Sequence, residues 1–161
     1  MPWVRRIEAG DRQWAAEVLT RSWGSTRVVS RGRLHDALEL PGFVAGLEDE
    51  RVGLLTWSAE DDECEVVTLN SLVERRGVGR ALLAAVAEEA TALGCRRLWL
   101  ITTNDNLHAL RFYQRLGWDL FALHRGAVDE TRRLRPEIPH VGIDGIALRH
   151  ELELELPLPR P

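Results

Sequence analysis

The sequence of 161 residues predicts a mixed α/β fold, in which helices pack against one central β-sheet. Segments with strand and helix periodicity alternate along most of the chain, and the length suits one domain. The segment Arg96–Thr103 is almost continuously apolar, which is typical of a strand covered on both faces of a sheet. The segment Ala147–Leu156 alternates leucine with glutamate, as a strand with one buried face does. We therefore expect a single domain over residues 1–156 and a flexible tail at residues 157–161.

The N-terminal third of the chain contains the first predicted strands and helices. Three strands are predicted here: Val4–Ile7, Gly42–Leu47 and Arg51–Ser58. A helix is predicted over Asp11–Trp23, because apolar residues recur at helical spacing after Asp11, a residue type that caps helices. The mixed stretch Gly24–Leu40 predicts a turn followed by a short helix at Arg33–Leu38. Its long polar side chains indicate a segment used for recognition.

The remaining strands and helices follow one another in alternation. Four more strands are predicted: Glu63–Val73, Arg96–Thr103, Trp118–Leu123 and Ala147–Leu156. The apolar spacing from Val78 predicts a long helix that ends at Gly94, and a second helix is predicted over Leu107–Leu116. The polar stretch Gly126–Gly145 contains a further helical segment and a loop with proline. The sheet would then have about seven strands, flanked by about four helices.

Composition and charge exclude several classes of function. The net charge is −4, so the chain has no overall positive field to hold DNA or RNA. The longest apolar run, Ala81–Ala87, is too short to span a membrane, and the first residues do not form the apolar region of a signal peptide. We therefore expect a cytoplasmic protein without nucleic-acid or membrane partners. Cys64 and Cys95 lack metal-site spacing, so we expect reduced core thiols and no metal.

A turn that contains glycine joins the strand Glu63–Val73 to the helix that follows it. Gly77 and Gly79 lack a Cβ, so a ligand can approach the main chain closely at the start of the helix. Three arginines add positive charge to this turn: Arg75, Arg76 and Arg80. Because the N–H groups of a helix N-terminus attract anions, the turn predicts a phosphate or pyrophosphate site. The chain contains no lysine, which excludes a Walker-type phosphate loop.

Two segments resemble the motifs of the GNAT superfamily of acetyl-CoA-dependent N-acetyltransferases. Leu69–Leu83 resembles the pyrophosphate motif Q/R-x-x-G-x-G/A, except that Glu74 and Arg75 replace its usual first residue and a common glycine. Asn106–Trp118 resembles the second motif, N-x-x-A-x-x-F/L-Y-x-K/R-x-G-F, and follows in the same order. The resemblance covers residues 42–124 well. It implies a GNAT-like sheet whose two central parallel strands splay apart to admit the pantetheine arm of acetyl-CoA.

The same resemblance implies which residues bind acetyl-CoA. Backbone N–H groups from Arg76 to Arg80 would hold the pyrophosphate, and the main chain near Leu69 would hydrogen-bond the thioester carbonyl. Asn106 would contact the pantetheine arm or the loop beside it. The complete set of expected cofactor-binding residues is Leu69, Asn70, Ser71, Arg75, Arg76, Gly77, Val78, Gly79, Arg80, Asn106 and Ala109.

For the chemistry, the resemblance places Tyr113 at the position of the general acid. Its phenol would donate a proton to the departing thiolate of CoA. The identity of the general base stays open: it is one of two strand carboxylates, or the enzyme has no general base. Glu63 and Glu65 share one face of their predicted strand, and either could take the amine proton. Glu65 is the preferred candidate because it is nearer than Glu63 to Leu69 along the strand. If the enzyme has no general base, the acceptor amine would arrive already deprotonated.

The expected acceptor is a primary amine of a small molecule or peptide that attacks the thioester directly, and the sequence does not identify it. The resemblance assigns acceptor selection to the N-terminal segment and to a C-terminal loop. The residues expected to face the acceptor are Trp23, Arg27, Arg31, His35 and His124. Arginines in this set would suit an acceptor that carries a carboxylate or a phosphate.

Alternatives to acetyl transfer onto nitrogen stay open. A non-catalytic module that senses CoA or acyl-CoA would have the same fold, and the unusual Glu74 and the undetermined base keep it open. An enzyme that uses a longer acyl-CoA, or an acceptor oxygen, would contain the same motifs. A homodimer is a further possibility, since Ala147–Leu156 could pair with its own copy across an interface.

Overall fold

Nine strands and four α-helices form within residues 1–159, the part of the chain that the computed structural model describes. The strands are β1 (Trp3–Arg6), β2 (Arg27–Ser30), β3 (Arg33–Asp36), β4 (Gly42–Leu47), β5 (Glu50–Glu60), β6 (Glu63–Ser71), β7 (Arg97–Thr103), β8 (Asp119–His124) and β9 (Glu151–Pro157). The α-helices are α1 (Arg12–Trp23), α2 (Val78–Ala92), α3 (Leu107–Arg115) and α4 (Ala127–Leu134).

Seven of the strands form one mixed sheet, in the order β1-β4-β5-β6-β7-β9-β8. The neighbours β1–β4, β4–β5, β5–β6 and β8–β9 are antiparallel, and the sheet contains one parallel pair. Helix α2 links β6 to its neighbour β7, which is the long crossover that a parallel pair of strands requires. The predicted α/β class, with its seven-stranded sheet and four helices, is confirmed.

The described chain divides into two compact units. The first contains residues 1–28, residues 35–98 and the residues from 157 onward, and the second contains residues 29–34 and 99–156. The single domain expected over residues 1–156 stays a prediction. Among the helices of residues 1–159, none is both long enough and apolar enough to cross a membrane.

A cluster of apolar side chains forms the core of the first unit. It joins α1 to the sheet and consists of Ala15, Val18, Leu19, Ala37, Val44 and Leu54. Cys64 and Cys95 are also buried and their thiols are free, as expected from the sequence. Burial raises the pKa of Cys64 to about 12, so this thiol stays protonated at neutral pH and packs as a small apolar group.

The segment before β4 forms a β-hairpin, so the short helix expected at Arg33–Leu38 is wrong. Strands β2 and β3 pair with each other as a separate two-stranded sheet. Between them, Arg31 and Gly32 have φ values of 50° and 75°, the left-handed conformation of a two-residue hairpin turn. Val28 and Ser30 of β2 are buried on one face of the hairpin. The turn conformation at Arg31 and Gly32 therefore decides the structure of this segment.

The last strand lies inside the sheet, which changes several expectations for this end of the chain. Because β9 lies between β7 and β8, it has no free edge, and the expected homodimer pairing through this strand is wrong. Glu151 and Glu153 of β9 are only 4% and 1% exposed, so the face of the strand that carries these glutamates is covered. The tail expected at residues 157–161 still includes the end of β9, and Leu158 donates its N–H to the carbonyl of Arg96. Residues 160–161 lie outside the described residues.

Asp11 joins three segments of the first unit through its carboxylate. Two nitrogens of Arg5 donate to it at 2.7 and 3.0 Å, Arg51 donates at 3.1 Å, and the backbone N–H of Glu8 donates at 2.8 Å. Asp11 is 2% exposed and precedes α1, but its side chain does not cap that helix. The hydrogen bonds from Arg5 hold the pKa of Asp11 far below its usual range.

We expect Asp11→Asn to lower the free energy of unfolding by about 3 kcal/mol, because the amide leaves Arg5 and Arg51 without their shared anion. Since the pKa of Asp11 is depressed in the folded protein, this contribution is complete at neutral pH and is lost as the pH falls below about 4. Urea unfolding at pH 7 and pH 3 measures both effects. Glu17→Gln, at an exposed carboxylate of α1, is the control and should change stability by less than about 0.5 kcal/mol. Equal stability losses in the two variants would contradict this role for Asp11.

Candidate functional site

An exposed turn of the first unit connects β6 to α2. Its central residues are exposed to solvent: Glu74, Arg75, Arg76 and Gly77. Gly77 caps α2 with φ 76°, no side chain closes that end of the helix, and Arg75 is also left-handed with φ 57°. A Cβ built on Gly77 would meet no atom within 4 Å. The turn therefore presents open space beside the first N–H groups of α2, the arrangement that holds a phosphate group.

The charges around this turn favour an anionic ligand. Arg75, Arg76 and Arg80 are all exposed beside the start of α2. Glu74 is exposed as well and forms no ion pair within residues 1–159, so its carboxylate is free to turn away from the helix N-terminus. Net positive charge thus remains at the turn, in agreement with a pyrophosphate site.

The end of β6 leads into this turn. Asn70 is 8% exposed, and its side-chain oxygen accepts a hydrogen bond from the indole N–H of Trp23 at 3.4 Å. The hydroxyl of Ser71 donates to the carbonyl of Val73 at 2.5 Å. Leu69 lies opposite Leu55 in the β5–β6 register and is half-buried. Because the polar side chains of Asn70 and Ser71 are engaged within the protein, the main chain is what this part of β6 can offer to a ligand.

The two candidate bases on β6 have different surroundings. Glu63 accepts hydrogen bonds from Arg96 at 2.7 Å and from Arg97 at 2.6 Å, so its charge is already compensated. Glu65 is 6% exposed, and its Oε1 lies 3.4 Å from Nε2 of His35, which is equally buried. A buried His–Glu pair can pass or hold a proton, and Glu63 is the weaker candidate. The sequence indicates nothing of this contact, because it depends on the β2–β3 hairpin.

Helix α3 of the second unit contains Tyr113, and Asn106 of the same motif stands at its start. Asn106 is its N-cap, and its side-chain oxygen accepts the N–H of Ala109 at 3.1 Å. Tyr113 is 8% exposed, and its ring packs against Phe112 and Trp118 with centroid distances of 5.2 and 5.4 Å. Burial raises the pKa of Tyr113 above its ordinary value, so the phenol stays protonated at neutral pH, as a proton donor must.

Two of the expected acceptor residues meet in the second unit. Nε2 of His124 lies 2.9 Å from Oε1 of Glu153, and a guanidinium nitrogen of Arg31 lies 3.6 Å from the same oxygen. The guanidinium of Arg31 also stands over the ring of Trp99, 5.5 Å from its centroid. The buried Glu153 therefore brings Arg31 and His124 together. The alternation of leucine and glutamate in this strand had assigned Glu153 to a face exposed to solvent.

The other three expected acceptor residues lie in the first unit, and one of them, His35, is the partner of Glu65 described above. Trp23 is 43% exposed at the end of α1 and reaches Asn70, as described above. Arg27 is exposed at the start of β2, and its backbone N–H donates to the hydroxyl of Ser25 at 3.0 Å.

The comparisons with known proteins identify a family and a fold. Residues 12–118 match the family model described as the acetyltransferase (GNAT) family. The uncharacterized protein YdhI of Bacillus subtilis is 39% identical over 137 residues, which cover 84% of this chain and 86% of that protein. A Bacillus subtilis acetyltransferase solved in complex with CoA has a TM-score of 0.71 at 19% identity, over 99% of this chain and 100% of its own.

A further solved structure is similar along the whole chain. A GNAT family acetyltransferase from Elizabethkingia anophelis with acetyl-CoA bound has a TM-score of 0.71 at 16% identity, over 98% of each chain. The fold, the match to the family model and the large share of each chain that is covered agree with the two motifs found in the sequence. The chain belongs to the GNAT family of acetyltransferases.

Proposed function

We propose that this protein is an N-acetyltransferase that moves the acetyl group of acetyl-CoA to a primary amine of a small molecule or peptide. The observation that carries the proposal is the open turn at Gly77, where uncapped N–H groups of α2 stand beside exposed arginines. Acetyl-CoA supplies a thioester whose carbonyl carbon the amine attacks. Two similar structures contain CoA or acetyl-CoA, which supports the same donor here.

The residues at the turn suit the diphosphate of CoA. Backbone N–H groups of residues 76–80 would bind phosphate oxygens, and Arg75, Arg76 and Arg80 would add charge. The main chain of β6 at Leu69, Asn70 and Ser71 would bind the pantetheine arm and the thioester carbonyl. In the second unit, Asn106 retains its amide nitrogen as a donor while its oxygen binds Ala109, and it would bind the same arm.

Two side chains are proposed to move protons. Tyr113 would protonate the leaving thiolate, since its buried phenol keeps its proton at neutral pH. Glu65, next to His35, would accept the proton of the attacking amine. Glu63 is less suited to this role because two arginines hold its carboxylate.

Thermal unfolding with acetyl-CoA, CoA and NAD in parallel tests the donor. At about 100 times its dissociation constant a ligand adds about 2.7 kcal/mol, which corresponds to a rise in Tm of about 5–10 °C for a domain of this size. We expect that rise with both CoA species and none with NAD. No shift with either CoA species would contradict the proposal.

Turnover separates the enzyme from a non-catalytic sensor of CoA. Acetyl-CoA is incubated with a panel of primary amines, and product mass identifies the acyl group and the atom that receives it. Transfer of an acetyl group to nitrogen is expected. Binding of acetyl-CoA without product for any amine of a broad panel would favour the sensor.

A further inference from the structure

A cluster of polar side chains covers one face of the β8–β9 pair in the second unit. His124 of β8 lies directly opposite Glu151 of β9, and Glu153 follows on the same face of β9. Glu151 and Glu153 are 4% and 1% exposed. The hairpin turn contributes Arg31 to the same cluster, through its contacts with Glu153 and with the ring of Trp99.

The side chains of His124 and Arg31 both contact the same carboxylate. Oε1 of Glu153 is 2.9 Å from the ring nitrogen of His124 and 3.6 Å from the guanidinium of Arg31. Arg31 is therefore committed to Glu153 and to Trp99, and it is not placed to receive an anionic acceptor. These contacts make Arg31 a weaker candidate for selecting a carboxylate or phosphate group.

Glu151 is the carboxylate of this cluster that forms no ion pair within residues 1–159. Its Oε1 is buried and has no hydrogen-bond partner within residues 1–159. Burial raises its pKa, and the backbone N–H of Arg31 and the charges of His124 and Arg31 oppose that rise only in part. A buried oxygen that accepts no hydrogen bond raises the free energy of the folded protein. This position therefore favours a ligand that supplies N–H groups and positive charge.

The cluster is short of positive charge and is accessible from one side. Two carboxylates face one guanidinium and one imidazole, and the side chains of Arg31 and His124 are 48% and 30% exposed. A primary ammonium has three donors and one charge, and it fits both needs. A carboxylate also stabilises the protonated form of an amine, which cannot attack a thioester. The group bound here must therefore differ from the amine that is acetylated.

We propose that Glu151 binds a second, protonated amino group of the acceptor, so that the natural substrates are diamines or polyamines. This inference rests on the proposed acetyltransferase function and specifies its substrate class. His124 and Arg31 hold Glu153 in place beside Glu151 and form the accessible side of the site.

Acceptors of matched length test the proposal. With saturating acetyl-CoA, kcat/KM is measured by release of the CoA thiol for 1,4-diaminobutane, butylamine and 4-aminobutyrate. We expect diaminobutane to exceed butylamine by about tenfold, mainly through a lower KM, since a hydrogen-bonded charge contributes that much. We expect 4-aminobutyrate to be the poorest of the three. Equal use of butylamine and diaminobutane would overturn the proposal.

Substitution of Glu151 tests whether its carboxylate causes the preference for the diamine. Glu151→Gln keeps the size of the side chain and removes its charge, so the preference for diaminobutane over butylamine should disappear. Glu130→Gln, at an exposed carboxylate of α4, removes the same charge elsewhere in the unit and should retain the preference. A preference that persists in Glu151→Gln would overturn the proposal.

Binding without turnover separates this inference from the proposed function. Diaminobutane and butylamine are titrated calorimetrically into wild-type protein that contains CoA, and the diamine is expected to bind about tenfold more tightly. If acetyl-CoA binds but none of the amines is acetylated, the proposed function fails and this titration still decides the inference. The titration also decides it if Glu151→Gln does not fold. Equal affinities for the two amines would overturn it.

Discussion

Tyr113→Phe is expected to lower kcat about 10²- to 10⁴-fold, because the departing thiolate loses its proton donor. The hydroxyl is the only group removed, and the ring can keep its packing against Phe112 and Trp118. The KM for acetyl-CoA should change little, since the hydroxyl acts on the leaving group. Steady-state kinetics with a good amine acceptor measure both parameters.

Two further measurements serve as controls for the effect of Tyr113→Phe. The rise in Tm with acetyl-CoA should be the same in Tyr113→Phe and wild type, which shows that fold and donor binding are intact. Because burial raises the pKa of Tyr113, the wild-type kcat should show no loss from its ionisation below about pH 10. A decrease in kcat of less than about threefold in the variant would remove Tyr113 from the mechanism.

Gly77→Ala is expected to weaken acetyl-CoA binding about 100-fold, or about 2.7 kcal/mol. The new methyl group would occupy the space beside the α2 N-terminus that we assign to the pyrophosphate. No protein atom lies within 4 Å of that position, so the methyl group creates no clash in the ligand-free protein. Calorimetric titration with acetyl-CoA measures the loss.

Gly94→Ala is a matched control at the other end of the same helix. Gly94 has φ 82°, close to the 76° of Gly77, and a Cβ there also meets no atom within 4 Å. Both variants should lose about 1 kcal/mol of stability from left-handed strain. Only Gly77→Ala should lose affinity for acetyl-CoA. Similar affinities in the two variants would show that the turn at Gly77 does not hold the ligand.

Contiguous segments made the proposed donor site predictable from the sequence. The turn at Gly77 and the start of α2 are one continuous stretch, and the groups proposed to bind the ligand are backbone N–H groups whose exposure depends on local conformation. The N-cap at Asn106 and the position of Tyr113 on α3 also follow from local spacing. Most strand and helix positions follow from the periodicity of apolar residues for the same reason.

Contacts between distant segments were not predictable. The hairpin at Arg31 and Gly32 places a non-glycine residue in the left-handed region, which helical and strand periodicity do not indicate. The pairing of His35 with Glu65 depends on that hairpin. Each of these features results from packing between parts of the chain that no local pattern relates.

The sequence by itself determined the α/β class, the family and the segment that would hold a phosphate, because periodicity and backbone conformation are local properties. Only the tertiary structure decided which charges meet. Alternation in β9 predicts a solvent face for Glu151 and Glu153, but their burial depends on what packs over the strand. Arg31 likewise acquires its partners only when the hairpin folds, and these contacts underlie our proposal of a cationic group on the acceptor. Electrostatic preference follows from distances in space, which the order of residues does not specify.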